Sequence, residues 1–435
     1  MPRIGIRPEV MATATETEER SERAQPIQES RAVSWEAFLS IYMPAMLLAF
    51  GTGIALPAIP ILAKSFEVTF GQASFVLTAF VLGGTVGTLP TGWLIDRVGR
   101  RPVLIAGPLV TAAMAFMVMF AQSFPELLFY RFMAGWAGQM WLLARLARIS
   151  HEAGAGQRGR QVSWMYGMDN VGRLAGPLVG GLIAAVLGPR SPFAAYGVLA
   201  LLALVPTIKL ASEIPSRRTP VGERTQTSRP MSIPEIVLPR LPYFGISFFS
   251  VMARGPVFAG MLFLDAAFAY NLDASSIGVL ATTASLMGLP IGFTAGWLMD
   301  RYGRKVTMVP GFTSVTLGML LIGVTAFLQL PLQFYVGAFL FAVASQSLTG
   351  GSIQTVGADV APPEARGMFL GLWRFTAQVG SAFSPVAFAF FADHAGYGFA
   401  FVFVAAAALA TALLLIFSVP ETARSSAPAP VPVPA

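Results

Sequence analysis

A short segment that occurs twice constrains the fold of this chain more than any other feature. The copies are Gly92–Arg101, GWLIDRVGRR, and Gly296–Lys305, GWLMDRYGRK. Asp96 and Asp300 hold the same position in the two copies and lie 204 residues apart (300 − 96) in a chain of 435. Each copy separates two long apolar stretches. We therefore predict a duplicated unit built of membrane helices, an architecture typical of secondary transporters.

The composition agrees with a polytopic membrane protein. Hydrophobic residues make up 55% of the chain and charged residues 12%, with a mean hydropathy of +0.65. A water-soluble protein of this length carries more charge. The chain has no cysteine, and its two histidines, His151 and His394, are far apart. These counts argue against a disulfide framework, a metal site or a Ser-His catalytic arrangement, so we expect neither an enzyme nor a bound cofactor.

A span of about 20 apolar residues crosses the hydrocarbon core of a bilayer. On this measure the chain predicts an all-α membrane protein with twelve transmembrane helices in two pseudo-symmetric bundles of six. The predicted spans are 37–63, 70–92, 102–122, 126–149, 161–187, 192–210, 241–268, 275–298, 306–328, 331–357, 367–392 and 397–418.

The same pattern predicts the domain organisation. A polar tail occupies residues 1–36 and is followed by a six-helix bundle at 37–210. A linker rich in proline, serine and arginine occupies 211–240, and the second bundle occupies 241–418. A Pro/Ala tail at 419–435 ends the chain. We expect both tails and the linker to be cytoplasmic.

The distribution of lysine and arginine predicts the orientation. With a cytoplasmic N-terminus, the outer loops keep only Lys64 and Arg190, and the other loop cations lie inside. The net charge of +7 is then a consequence of topology and gives no reason to expect nucleic-acid binding. The expected location is a bacterial inner (plasma) membrane, with the lipid bilayer as the principal partner.

The repeated segment resembles the G-x-L-x-D-R-x-G-R-[RK] signature of the major facilitator superfamily. In that family the loop latches the two halves together in one state of the transport cycle. Simple anchoring of the next helix at the membrane surface is the alternative. The resemblance implies a conformational latch at Asp96, Arg97, Gly99, Arg100, Arg101, Asp300, Arg301, Gly303 and Arg304.

The halves differ at a position that bears on this latch. Asp359 lies seven residues before Arg366, whereas the matching position before Arg158 is His151, with Glu152 beside it. An ion pair between this loop and the latch is therefore in doubt in the N-terminal half, unless it runs through Glu152.

The fifth predicted span contains G-x3-G-P-x2-G-G, which resembles the antiporter signature of the drug/proton exporter branch of the superfamily. Small residues at a spacing of four let helix backbones approach closely. We expect this ridge to pack against a similar ridge on the eighth span and to seal the outer side; generic tight packing is the alternative. The predicted seam residues are Gly172, Gly176, Pro177, Gly180, Gly181, Gly288 and Gly292.

Ionisable residues inside spans are costly, so each is a functional candidate. We expect Asp169 and Arg173, four residues apart on one helix, to neutralise each other. In this fold the first, fourth, seventh and tenth helices line the central cavity. Apart from Glu126 at the first position of the fourth span, Asp265 is the only carboxyl in these four; it is the candidate for the coupling proton, unless it is simply solvated. The candidate substrate or proton residues are Arg131, Arg145, Asp169, Arg173, Arg254, Asp265 and Arg374.

These observations lead to one principal function and several alternatives. The principal hypothesis is a proton-coupled, multidrug-type exporter of small organic compounds that works as a monomer by alternating access, with the proton gradient as its energy source. The basic cavity favours an anionic, zwitterionic or neutral substrate. The main alternative is a uniporter or proton symporter that imports an organic anion. A receptor-like protein on a transporter fold is a third possibility.

Overall fold

The computed structural model of the protein consists of helices joined by short connections. The predicted N-terminal tail, most of the predicted linker and most of the C-terminal tail lie outside the described part of the chain. The structure describes residues 38–152, 158–212, 232–256, 260–349, 352–362 and 365–421.

Within these ranges the protein has no β-strand and forms two sets of six long helices, which confirms the predicted fold class. The first set is α1 (Met43–Ala55, continued by Ala58–Lys64), α2 (Phe70–Val98), α3 (Arg100–Phe120), α4 (Phe124–Glu152), α5 (Arg158–Leu187) and α6 (Ser191–Ser212). The second set is α7 (Leu241–Pro256, resumed at Leu262–Phe268), α8 (Ala274–Tyr302), α9 (Lys305–Phe327), α10 (Leu332–Gln346, resumed at Ser352–Val360), α11 (Arg366–Ala395) and α12 (Tyr397–Phe417).

Eleven of the helices are long and apolar enough to cross a membrane. The remaining helix, α4, is long enough, but its apolar character is diluted by Arg131, Gln139 and Arg145. It packs against α2 and α3 inside the first set. Large apolar side chains such as Leu89 (83% exposed) and Phe293 (79%) cover the outside of the protein. Such a surface is stable in lipid rather than in water.

The packing of the helices repeats between the halves. In the first half α1 contacts α5 and α6, α2 contacts α4, and α3 contacts α4 and α6. The second half has the same contacts with six added to each helix number. The halves meet through α5 against α8 and α2 against α11. The duplication predicted from the repeated segment is therefore present in three dimensions.

The repeated segments form nearly the same turn. α2 continues to Val98 and α8 to Tyr302, so each helix runs past the predicted spans, which end at 92 and 298, and ends two residues beyond the acid. Gly99 follows with φ of +91° and Gly303 with φ of +105°. L-residues with side chains avoid these angles, which explains the glycine in both copies.

Two of the spans are interrupted within the described residues. α1 breaks at Leu56, just before Pro57, because proline cannot donate the backbone hydrogen bond that would continue the helix. α10 tightens into a 3-10 turn at Ser347–Thr349. The even hydrophobicity of these spans did not predict the breaks.

Candidate functional site

Two ends of the protein must be distinguished. The near end contains the repeated turns at Gly99 and Gly303 and the start of α7. The far end, at the opposite ends of the same helices, contains Lys64, Asp273 and Asp393. A cavity of about 460 Å³ lies between the near end and the middle of the protein, a volume within the usual range for small-molecule sites.

The cavity belongs largely to the first half. Every one of α1 to α6 contributes to its wall, and Gln378 and Ser381 of α11 are the second half's contribution. The expectation that α7 and α10 line it is wrong for this cavity, because none of its lining residues belongs to either helix. Its polar and aromatic lining includes Thr52, Phe80, Gln139, Trp141, Arg145, Asp169, Asn170, Arg173 and Tyr196.

An ion pair between two helices is the main charged feature of the cavity. Arg145 of α4 donates from Nη2 to Oδ2 of Asp169 on α5 at 3.2 Å. Its guanidinium lies 5.4 Å from the Trp141 ring centroid, and its side chain is 4% exposed. The expected pairing of Asp169 with Arg173 is therefore wrong, because helix packing brings a stronger partner across from α4.

Two polar groups in the cavity wall have unused hydrogen-bonding capacity. Arg173 is exposed to the cavity, and the described part of the chain gives it no hydrogen bond or ion pair. The Oε1 atom of Gln139 is buried and accepts no hydrogen bond. The donors of Arg173 are available to a ligand in the cavity as it stands, whereas Oε1 of Gln139 becomes available when its side chain rotates.

Arg131 lies outside the cavity lining. It is 5% exposed, and its guanidinium stacks 4.6 Å from the Phe80 ring centroid. Because Phe80 itself lines the cavity, Arg131 contacts the site through this ring.

The remaining candidates are placed elsewhere. Arg254 of α7 donates from Nη1 to the backbone carbonyl of Thr349 at 3.1 Å. This hydrogen bond gives a partner to the carbonyl at the end of the 3-10 turn in α10. Asp265 is 1% exposed beside Tyr335, so the alternative of a solvated carboxylate is wrong. Neither residue lines the cavity. Arg374 is exposed on α11, one turn closer to the near end than Gln378.

The far end is closed by contacts between the halves. The Asp393 carboxylate at the end of α11 accepts from the Gly71 backbone N–H at 2.9 Å and from the Thr69 hydroxyl at 3.3 Å. Both donors belong to the N-terminus of α2, where the helix dipole favours a negative charge. On the other side, Lys64 donates to the Asn271 amide oxygen at 2.6 Å.

Asp273 is the N-cap of α8 at the same end. Hydrogen bonds from Ser275 and then Ser276 to its side chain hold the pKa of this carboxyl below its usual value. The cap fixes the start of α8, whose first turn packs against α5.

The glycine ridges are arranged differently from the prediction. Gly172, Gly176 and Gly180 face α1, and a Cβ on Gly176 would lie 2.6 Å from the Gly53 Cα. The ridge on α8 does not face α5: Gly288 and Gly292 point toward Ser347. α5 and α8 do pack together, as expected, but their close approach is made by Pro177 and Gly181 against Gly278 and Ala274.

The near end differs from the far end in its contacts. The cross-half hydrogen bonds described above all lie at the far end, and a Cβ added at Gly92, Gly296 or Gly371 of the near end would meet no atom within 4 Å. Asp96 is exposed and forms no hydrogen bond or ion pair with any described residue, and Arg97 lies 5.0 Å from the Trp93 ring centroid. The acid of the first copy of the predicted latch is therefore disengaged in this conformation.

The second copy is held within its own half. Arg304 pairs with Asp359 at 3.4 Å. The Glu421 carboxylate accepts from the backbone N–H groups of Arg304 at 2.8 Å and Lys305 at 3.0 Å. Arg301 lies over Trp297.

The side chains of Asp300, His151 and Glu152 lie outside the described part of the structure. In the first copy, Arg100 begins α3 and Arg101 is exposed beside it.

Sequence reasoning missed Gln139, Asn170 and Asp393, and it used Lys64 only to predict the orientation. The first two are uncharged, so the search for ionisable groups passed over them. Asp393 lies one residue beyond the predicted end of its span. A search for polar residues on the cavity face of α4 and α5 would have found Gln139 and Asn170.

The fold and site define a multi-pass integral membrane transporter with a central cavity. The family model for the Major Facilitator Superfamily matches residues 42–264 and again residues 243–433. The chain belongs to this superfamily. Its members are transporters and not enzymes, and they use an ion gradient without a cofactor.

Several curated proteins are similar to this chain. The class B tetracycline resistance protein of Escherichia coli is 27% identical over 278 residues, which cover 61% of this chain and 67% of that protein. An uncharacterised MFS-type transporter of Methanocaldococcus jannaschii is 21% identical over 82% of this chain and 91% of its own length. The quinolone resistance protein NorA of Staphylococcus aureus is 24% identical over 49% of this chain and 56% of its own length.

Solved structures share the fold. A D-xylose-proton symporter has a TM-score of 0.74 at 17% identity and covers 90% of this chain and 99% of its own. A POT family transporter in complex with 5-aminolevulinic acid has a TM-score of 0.71 at 11% identity, with coverages of 87% and 96%.

Proposed function

We propose that the protein is a proton-coupled exporter of small organic compounds that works as a monomer by alternating access. The observation that carries the proposal is a polar cavity beneath a far end that is closed by cross-half contacts. Two conformations of such a protein, open at opposite ends, are sufficient to move a bound compound across a membrane. Similarity to proteins named for tetracycline and quinolone resistance supports export.

The near end is the cytoplasmic end in this proposal. It contains the arginines and lysine of both repeated turns, whereas the far-end cations described above are Lys64 and Arg190. The positive-inside rule then places both termini in the cytoplasm of a bacterial inner membrane. The structure in this orientation is the inward-open state, in which an exporter loads its substrate.

Asp169 is the residue we assign to the coupling proton. It is the only acid among the described residues that line the cavity, so it can meet both substrate and proton. Asp265, in contrast, is buried away from the cavity. In the inward-open state Asp169 accepts a hydrogen bond from Arg145, and in the outward-open state it would receive a proton from the outside.

The free Arg173 favours a second candidate, the import of an organic anion. The sign of proton coupling separates the two functions by linkage. A proton on Asp169 removes a negative charge from the cavity, so an anion binds better with the proton and is carried in the same direction. A substrate with a cationic group competes with the proton for Asp169 and is exchanged against it.

Transport into everted membrane vesicles tests the proposal. With an inward-acidic gradient, vesicles carrying the protein should accumulate members of a panel that includes a tetracycline and a quinolone. Asp169→Asn should abolish accumulation but retain exchange of labelled for unlabelled substrate, and Asp265→Asn is the matched control. Gradient-driven accumulation that survives in Asp169→Asn, or is lost in Asp265→Asn, would place the proton elsewhere.

A further inference from the structure

Asp169 and Arg173 offer one negative and one positive group side by side in the cavity wall. They lie on one face of α5, four residues apart, which is a rise of about 6 Å along the helix. Both line the cavity, and they do not pair with each other, because Asp169 is held by Arg145. The wall therefore presents two separate charged contacts at a fixed spacing.

Each contact has capacity left for a ligand. Asp169 uses Oδ2 to accept from Arg145, and Oδ1 has no recorded partner. Arg173 has its full set of donors available. Because Arg145 is buried and lies against Trp141, it holds the Asp169 carboxylate in one orientation.

A third group indicates what the negative contact binds. Gln139 lines the same cavity, and its Oε1 accepts no hydrogen bond; this atom is buried and reaches a ligand once the side chain rotates. An unsatisfied acceptor in the same cavity as a carboxylate with a free oxygen suits an ammonium group, which donates three hydrogen bonds and accepts none. A purely anionic ligand would leave this acceptor unfilled.

We propose that the substrate is a small zwitterion whose carboxylate binds Arg173 and whose ammonium group binds Asp169 and Gln139. The proposal rests on the proposed function and names its substrate class. The apolar body of the substrate lies against Phe80, Trp141 and Tyr196, which supply aromatic surface to the same cavity.

The charges around Asp169 determine the sign of coupling. The charged and titratable groups that face the cavity among the described residues are Arg145 on α4, Asp169 and Arg173 on α5 and Tyr196 on α6; the lining of α1, α2, α3 and α11 is uncharged. An ammonium group and a proton therefore compete for one carboxylate, and the competition is reciprocal. This arrangement exchanges protons for substrate.

Binding of three matched probes to the purified full-length protein tests the proposal. The probes are 4-(aminomethyl)benzoic acid, a zwitterion; its methyl ester, a cation; and 4-methylbenzoate, an anion. Wild-type protein should bind the zwitterion about tenfold more tightly than either relative, since each probe lacking one charge loses one charge-assisted hydrogen bond.

Variants assign each charge to its residue. Arg173→Gln should remove the preference for the zwitterion over the ester, and Arg173→Lys should retain it. Asp169→Asn, whose amide oxygen can still accept from Arg145, should remove the preference over 4-methylbenzoate. Arg240→Gln, which removes a charge near the linker and away from the cavity, is the control and should change nothing.

Two results would overturn the proposal. One is a wild-type protein without preference for the zwitterion, including one that binds none of the probes. The other is a preference that Arg173→Gln leaves intact. Because the assay measures binding alone, a protein that prefers the zwitterion but shows no proton-driven transport would contradict the proposed export and leave the binding site standing.

Discussion

Replacing Asp393 by alanine should shift the protein toward conformations that are open at the far end. The side chain joins the halves through one backbone N–H at 2.9 Å and one hydroxyl at 3.3 Å at the start of α2. A charge at a helix terminus contributes about 0.3–1 kcal/mol, and a hydrogen bond contributes about 1 kcal/mol net. Asp393 is exposed, so we discount the sum for solvent screening to about 1 kcal/mol.

A loss of this size changes the ratio of far-end-open to far-end-closed molecules by about fivefold. The protein has no cysteine, so spin labels can be placed at Gln122→Cys and Gln329→Cys, two exposed positions in far-end loops of opposite halves. Pulsed electron paramagnetic resonance then measures the distance distribution. Asp393→Ala should raise the population at long distance, and Asp393→Asn, which keeps an acceptor, should do so less.

The matched control for this experiment is Glu67→Gln, which removes an exposed carboxylate at the same end without a recorded contact between the halves. An unchanged distance distribution in Asp393→Ala would refute the reasoning. An equal shift in Glu67→Gln would also refute it, since the effect would then come from overall charge and not from the contact with α2.

Three further changes have definite expected outcomes. Gly176→Leu should destabilise the protein by about 1–3 kcal/mol through overpacking against α1, whereas Gly296→Leu, in open space, should not; thermal unfolding in detergent distinguishes them. Asp96→Asn should lower the turnover rate and leave substrate affinity unchanged, because Asp96 lies outside the cavity; a change in affinity alone would contradict the latch. Glu421→Ala should lower stability by about 1 kcal/mol by uncapping α9, and an unchanged melting temperature would show that solvent satisfies these N–H groups equally well.

The twelve helices and their duplication could be predicted because both depend on local properties. Hydrophobic length is recorded in consecutive residues, and the repeated segment is nearly identical in its two copies. A second repeated turn could not be predicted from the sequence. Gly188 (φ +90°) and Gly396 (φ +95°) lie 208 residues apart (396 − 188) and precede α6 and α12, but their flanking sequences differ too much to reveal the equivalence.

Contacts between helices could not be predicted in the same way. The four-residue spacing of Asp169 and Arg173 indicated a pair, yet Arg145, 24 residues before Asp169, is the partner that packing provides. The glycines at spacing four on α5 predicted a close approach, which is present, but they did not indicate which neighbouring helix is approached. Sequence periodicity identifies a face of a helix and leaves its partner undetermined.

The two halves contribute unequally to the lining of the cavity, and this has a consequence for how a duplicated protein can diversify. Nearly all of its wall belongs to α1 to α6, and Gln378 and Ser381 are the contribution of the other copy. We therefore expect a bound compound to move with the N-terminal half when the two halves change their relative orientation. The C-terminal half then covers and uncovers the cavity. We expect substitutions in the first half to change substrate specificity and substitutions in the second half to change the opening of the cavity. The two properties can therefore evolve separately in one chain.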